Sequence, residues 1–148
     1  MPEASMQFST EVSAPASEIF AYVSDLIKHG EWAANPLEIT PLDGGATEIK
    51  VGRRYKSVAT VKNLTFEAEL EVSEYLPPTR FAFSGSDSTG IFTHLFTFEP
   101  VSNGTKVTRS INFDLSFYLW VRFWILYFPV RRPAGRKAME QLAQHWKS

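Results

Sequence analysis

From Met6 to Ser13 the chain alternates. Met6, Phe8, Thr10 and Val12 fall on one face and Gln7, Ser9, Glu11 and Ser13 on the other, which is the two-residue period of a half-buried strand. Ala14-Pro15 ends the run. Pro15 suits a first helical turn, Glu18 complements the helix dipole, and Ile19, Phe20 and Val23 supply an apolar stripe, so the pattern predicts a short helix to about Ser24. A second short helix is expected over Leu26 to Ala33, anchored by Trp32, before Asn35-Pro36 forces an extended backbone.

Between Leu37 and Asp114 the texture changes to short alternating runs separated by turn residues. The expected strands are 37–42, 46–51, 53–62, 64–75, 80–85, 91–99 and 105–113. They are punctuated by Asp43-Gly44-Gly45, Gly52, Lys62-Asn63, Pro77-Pro78, the stretch from Gly85 to Gly90, and Ser102-Asn103-Gly104. Helical spacing returns at Leu115, and Gly135, Ala138, Met139, Leu142 and Trp146 share one face of a final helix that Pro129 and Pro133 should kink or interrupt. A sheet with one apolar face must bury it, and the terminal helix is the only large apolar element left to do so. The expected class is therefore α+β: a curved antiparallel sheet of six to seven strands wrapped around a long C-terminal helix, with two short helices after the first strand.

Strand phase decides which side chains look inward. Around Asn103-Gly104, pairing Glu99 with Lys106 sets Phe98 opposite Val107, Phe96 opposite Arg109, His94 opposite Ile111 and Phe92 opposite Phe113. The same alternation turns Tyr55, Ser57, Ala59 and Val61 inward, with Phe66, Ala68, Leu70 and Val72 on the next strand and Phe81 and Phe83 after Pro78. Small residues at Ser57, Ala59 and Ala68 beside so many phenylalanines leave volume for the helix to fill or a ligand to occupy. The competing reading is a close-packed core in which the rings take up that space.

Two polar residues interrupt the aromatic face. His94 is a candidate general base or ligand donor, or else a hydrogen-bonded core histidine. Arg109, if inward, needs a carboxylate, carbonyls, aromatic faces or a bound anion; a phase error of one residue would put it in water. Glu67, Glu69 and Glu71 resemble paired carboxylates, yet their i, i+2 spacing puts them on a solvated strand face where Lys56 answers one. No metal site is expected, because His29, His94 and His145 are isolated. No Gly-rich phosphate loop or nucleophile elbow occurs, and no cofactor is implied. Asn63-Leu64-Thr65 and Asn103-Gly104-Thr105 match the glycosylation triplet but read better as turns.

The 148 residues suit one domain spanning 1–148. Fifteen Lys and Arg against sixteen Asp and Glu leave no basic excess, so nucleic acid is not an expected partner. The absence of cysteine excludes disulfides, thiolate metal sites and cysteine nucleophiles. The first ten residues carry no basic and apolar leader pattern, and a cytoplasmic protein is expected. Charge is uneven: residues 1–114 hold nine basic and fifteen acidic side chains, whereas residues 115–148 hold six basic ones against Glu140.

Several local sequences, in this order, resemble the SRPBCC or START-like superfamily, and most closely its bacterial polyketide cyclase/dehydrase branch. They are Ser13 to Phe20, Trp32, Val51 to Tyr55, Glu71 to Pro78 followed by Phe81 and Phe83, and Phe96 to Pro100 followed by Gly104 to Val107. The resemblance implies a helix-grip fold with a hydrophobic cavity between sheet and C-terminal helix, closed by the two short helices and loops. It shifts the balance from packed core to hollow. Its members bind lipids, sterols, quinones, polyketides or plant hormones, and a minority catalyse cyclisation or dehydration with polar cavity residues that differ among subfamilies.

Leu115 to Val130 departs from that pattern, with seven aromatic residues in sixteen. It is too short to cross a bilayer. Phe117, Trp120 and Trp124 would face the cavity, while Tyr118, Phe123, Ile125 and Tyr127 would need a second cover. A homodimer contact or loop would provide one, or a peripheral membrane contact assisted by Arg131, Arg132, Arg136 and Lys137. The leading expectation is a binder of a hydrophobic small molecule, lipid-, quinone- or polyketide-like. Its cavity would be lined by Tyr55, Ser57, Phe66, Ala68, Phe81, Phe83, Phe92, His94, Phe96, Arg109, Ile111 and Phe113 with the three helix aromatics. The alternatives are a cyclase or dehydratase using His94 as acid/base and Arg109 for an enolate or phenolate oxygen, and an interaction module using Leu115 to Val130.

Overall fold

A computed structural model describes residues 3–33, 36–42, 49–61, 64–87, 90–115 and 128–146, without the side chains at a few segment ends and early in the last helix. Seven antiparallel strands form one sheet: β1 (Glu3–Val12), β2 (Leu37–Pro41), β3 (Arg54–Val61), β4 (Leu64–Leu76), β5 (Arg80–Asp87), β6 (Gly90–Val101) and β7 (Gly104–Leu115). Their order across the sheet is β1-β7-β6-β5-β4-β3-β2, so β2 to β7 run as a meander, β1 pairs with β7, and β1 and β2 are the two edges. Helix α1 (Ala16–Ser24) packs on β6, a 3-10 helix (Leu26–Glu31) packs on β2, and the C-terminal helix α2 (Phe128–Gln144) packs on β1.

The inward phase read from alternation is the observed one. Glu99 pairs with Lys106, Phe98 with Val107, Phe96 with Arg109, His94 with Ile111 and Phe92 with Phe113. Asn103-Gly104 sets that register. Gly104 has φ 152°, and a Cβ there would collide with the Val12 carbonyl, so a residue without a side chain is needed where β7 starts beside the end of β1. A register shift between Val72 and Glu74 marks a bulge in β4, a local device for bending a strand.

Three expectations are corrected. The strand expected over 46–51 is not seen at 49–51, its described part: residues 46–48 lie outside the described set, and 50–53 form a turn in which the Gly52 N–H donates to the Val72 carbonyl at 2.8 Å. The second short helix is a 3-10 helix over Leu26–Glu31, two residues shorter than the expected Leu26 to Ala33. Pro133 stands inside α2 without ending it, and Pro129 falls in the helix's first described turn.

The core lies between the inner sheet face and the helices, built from Phe8, Val12, Phe20, Val23, Tyr55, Leu70, Val72, Phe81, Phe96, Phe98, Met139 and Leu142 among others. Helix α2 seats so closely on β1 that a Cβ on Gly135 would strike the Phe8 ring. Its far end reaches α1, where His145 stacks on Tyr22 at 4.2 Å and the Trp146 Nε1–H donates to Glu18 at 3.2 Å. Outside, Arg54–Glu69 (2.8 Å) and Lys56–Glu67 (3.7 Å) hold the glutamate stripe as solvated surface pairs, as their spacing suggested. No helix among the described residues is long and apolar enough to cross a membrane.

Candidate functional site

Three rows of paired residues run across β5, β6 and β7 on the inner face: Phe81, Phe96 and Arg109; Phe83, His94 and Ile111; Gly85, Phe92 and Phe113. Because side chains alternate along each strand, this pairing carries both polar intruders into the aromatic face together. Arg109 donates to Nδ1 of His94 from Nη2 at 2.8 Å and from Nε at 3.2 Å. A guanidinium only donates, so Nδ1 is the acceptor and the imidazole proton sits on Nε2.

Aromatic faces hold both groups in place. His94 stacks on Phe83 with ring centroids 4.7 Å apart and meets Phe92 edge-on at 5.4 Å. The Arg109 guanidinium lies 5.3 Å from the centre of Phe96 and 5.6 Å from that of Trp32, within range of the ring quadrupoles. Gly85 leaves room for the Phe92 ring opposite it, which a Cβ at that position would strike.

The 3-10 helix adds two residues to the site that the strand pattern does not reveal. His29 and Trp32 are three apart, and at three residues per turn such positions eclipse, bringing their rings to 4.7 Å. His29 is buried, with rings of Phe83 and Phe96 at 5.8 and 6.0 Å, and its Nε2 bonds to the Val23 carbonyl at 2.7 Å. Burial, chiefly, pushes its pKa down to about 3; the Val23 bond opposes the shift and the Arg109 charge adds to it. The imidazole is thus neutral, donating through Nε2. Trp32 is 2 % exposed, and its Nε1–H has no hydrogen-bond partner among the described residues. With its side-chain amide in the satisfying orientation, Gln141 of α2 donates to the Trp32 and Ala33 carbonyls at 2.9 Å, tying this corner to the terminal helix.

Arg109 carries the charge of the site. No carboxylate pairs with it among the described residues, and burial pushes its pKa down to about 10, so it stays a cation at neutral pH. Its bonds to His94 use the Nε side of the guanidinium. The opposite edge of the fork makes no hydrogen bond among the described residues.

The remaining candidates occupy the same face at different depths. Tyr55, Ser57, Phe81, Phe83, Phe96, Ile111 and Phe113 are buried, whereas Ala68, Phe92, His94 and Arg109 keep part of their surface accessible. Phe66, expected deep inside, sits near the β3–β4 turn with 36 % of its surface exposed. Phe117, Trp120 and Trp124, with most of the aromatic segment, lie outside the described residues. Among the described residues no group of three His, Asp or Glu side chains is placed to hold a metal ion.

No curated protein matches the sequence. Solved structures share its fold. TTHA0849 from Thermus thermophilus superposes with a TM-score of 0.74 at 16% identity, covering 97% of this chain and 95% of that one. Ms6760 from Mycobacterium smegmatis gives 0.71 at 16% identity over 97% and 91% of the two chains, and CV1439 from Chromobacterium violaceum gives 0.69 at 16% over 97% and 98%. A family model for polyketide cyclase/dehydrase and lipid transport matches residues 3–145. The ordered sequence pieces, the seven-stranded sheet on its terminal helix and this match over nearly the whole length agree, and the chain belongs to the polyketide cyclase/dehydrase and lipid transport family.

Proposed function

We propose that this protein binds a hydrophobic small molecule against the inner face of its sheet, on the side covered by the 3-10 helix and α2. The observation that carries the reading is the uneven burial of that face. Tyr55, Leu70, Phe81 and Phe96 are sealed, but Ala59, Ala68, Phe92, His94 and Arg109 point to the same side and keep accessible surface. An apolar concave surface with a few convergent polar groups is the usual form of a small-molecule site. Membership of a family of lipid transport and polyketide proteins supports the same class of ligand.

The test uses the neutral fluorophore N-phenyl-1-naphthylamine, together with mass spectrometry of an organic extract of the purified protein. Fluorescence should rise saturably with the wild type. Ala68→Phe should weaken binding by about tenfold by filling the accessible face, while Glu67→Phe on the outer face should leave it within about twofold. Absence of saturable binding, or equal binding by the two variants, would overturn the reading.

The His94–Arg109 contact supports a second reading, a dehydratase in which Arg109 turns from His94 to a substrate carbonyl oxygen, the freed Nδ1 of His94 takes the α-proton as the double bond forms, and the imidazolium so made returns a proton to the departing hydroxyl, which leaves as water. Its test is loss of water from a model β-hydroxy ketone, followed by absorbance of the conjugated product. His94→Gln should abolish turnover while sparing binding of the fluorophore. No turnover by the wild type would dismiss this reading and leave the binder standing.

A further inference from the structure

Resting on the binding reading above, we infer that the ligand is an amphiphile with a carboxylate head, held by the free edge of Arg109 and the indole N–H of Trp32. Two independent observations converge on this. The first is a cation on the inner sheet face that has two aromatic faces and one imidazole nitrogen around it but no carboxylate among the described residues. A charge drawn partly out of water favours a counter-charge, and ring faces with a neutral imidazole supply only part of what water gave. The second is the buried Trp32 Nε1–H, which lacks an acceptor although its ring touches that same guanidinium.

The polar complement selects the head group. His94 Nδ1 already accepts from Arg109, and the neutral His29 has spent its N–H on the Val23 carbonyl. The unspent capacity on Arg109 and Trp32 is donor capacity, which suits a ligand oxygen that only accepts. One guanidinium edge presents two parallel N–H groups, the fork that a carboxylate accepts in bidentate fashion. A single fixed cation matches a monoanion better than a phosphate dianion. The accessible ring of Phe92, edge-on to His94, with Ala68 further along the face, defines an apolar body.

The body is either an alkyl chain or an aromatic system, and the experiment separates the two. Dissociation constants are measured for medium- and long-chain alkanoates and for a polycyclic aryl carboxylic acid, each against its matching alcohol, by displacement of N-phenyl-1-naphthylamine. For the arm that fits, the wild type should prefer acid to alcohol by about tenfold or more. Arg109→Gln should remove the preference while leaving the alcohol within about threefold, Arg109→Lys should restore part of it, and Trp32→Phe should weaken the acid alone by about threefold to tenfold. Trp32→Phe truncates a buried indole and is read on the ratio of acid to alcohol affinity, so it and the wild-type comparison decide the matter even if Arg109→Gln fails to fold. Equal affinity for acid and alcohol would overturn the carboxylate proposal and spare the binding reading. Failure of the neutral fluorophore itself to bind would remove both.

Discussion

At the scale of single residues, His29 makes the site's burial measurable. Its folded pKa of about 3 lies below the ordinary 6.5, so between those values the unfolded chain binds the extra proton. The stability that depends on a neutral His29 is therefore complete above pH 6.5 and is lost as pH falls towards 3, at a slope approaching about 1.4 kcal/mol per pH unit. Replacing His29 by Phe leaves the Val23 carbonyl without its partner, which should cost about 1–3 kcal/mol near neutral pH. Near pH 4 the wild type alone carries the protonation penalty, so its advantage should shrink by roughly 3 kcal/mol. Urea unfolding of both proteins at the two pH values checks this, and an unchanged gap would mean that His29 titrates alike folded and unfolded. His94 and Arg109 are legible as site candidates because they break an alternating aromatic face. His29 and Trp32 are not, since their approach depends on 3-10 winding and on the packing of that turn against Phe83 and Phe96, neither of which leaves a periodic mark.

At the scale of elements, Gly135 sets opposing effects against one another. Glycine inside a helix costs about 1 kcal/mol relative to alanine, so on propensity alone Gly135→Ala in α2 would stabilise. A Cβ there would lie 2.5 Å from the Phe8 ring, and overpacking a well-filled core costs about 1–3 kcal/mol. Contact should win: Gly135→Ala is expected to lower the melting temperature of the wild type by roughly 3 °C, and to raise that of a Phe8→Leu variant in which the ring is gone. A single substitution that stabilises would show that the helix sits farther from β1 than this. The element order and the β6–β7 register are readable because Asn103-Gly104 fixes a turn and every following residue inherits its phase. The stretch at 46–51 misleads. Gly52 marks a turn there, but that turn leads straight into β3, and the backbone at Gly52 and Arg53 bonds to Val72 of β4 as a continuation of the β3–β4 ladder. The aromatic run after Leu115 has hydrophobic residues on all sides, and such a pattern does not say which face meets the sheet.

At the scale of the whole molecule, the pairing of β1 with β7, residues about a hundred positions apart, makes the sheet one cooperative unit. A ligand held on the inner face therefore stabilises the entire fold rather than a loop. A carboxylate at about one hundred times its dissociation constant should add about 2.7 kcal/mol, equivalent to a rise of roughly 5–10 °C in melting temperature for a chain of this size. The charge distribution offers the anion a competing location, because α2 presents exposed Arg136 and Lys137 around a shallow surface hollow with Pro133 and Glu140. Salt separates the two. At about 0.5 M the screening length is only a few Å, so attraction to exposed Arg136 and Lys137 should largely vanish, whereas a desolvated contact at Arg109 should keep most of its strength. The melting-temperature rise with the best-binding carboxylate should thus persist in high salt, survive Arg136→Gln combined with Lys137→Gln, and fall to about half in Arg109→Gln, as a tenfold loss of affinity requires. A rise that follows the helix pair and fades with salt would place the anion on the surface of α2 and leave the inner face with a neutral ligand.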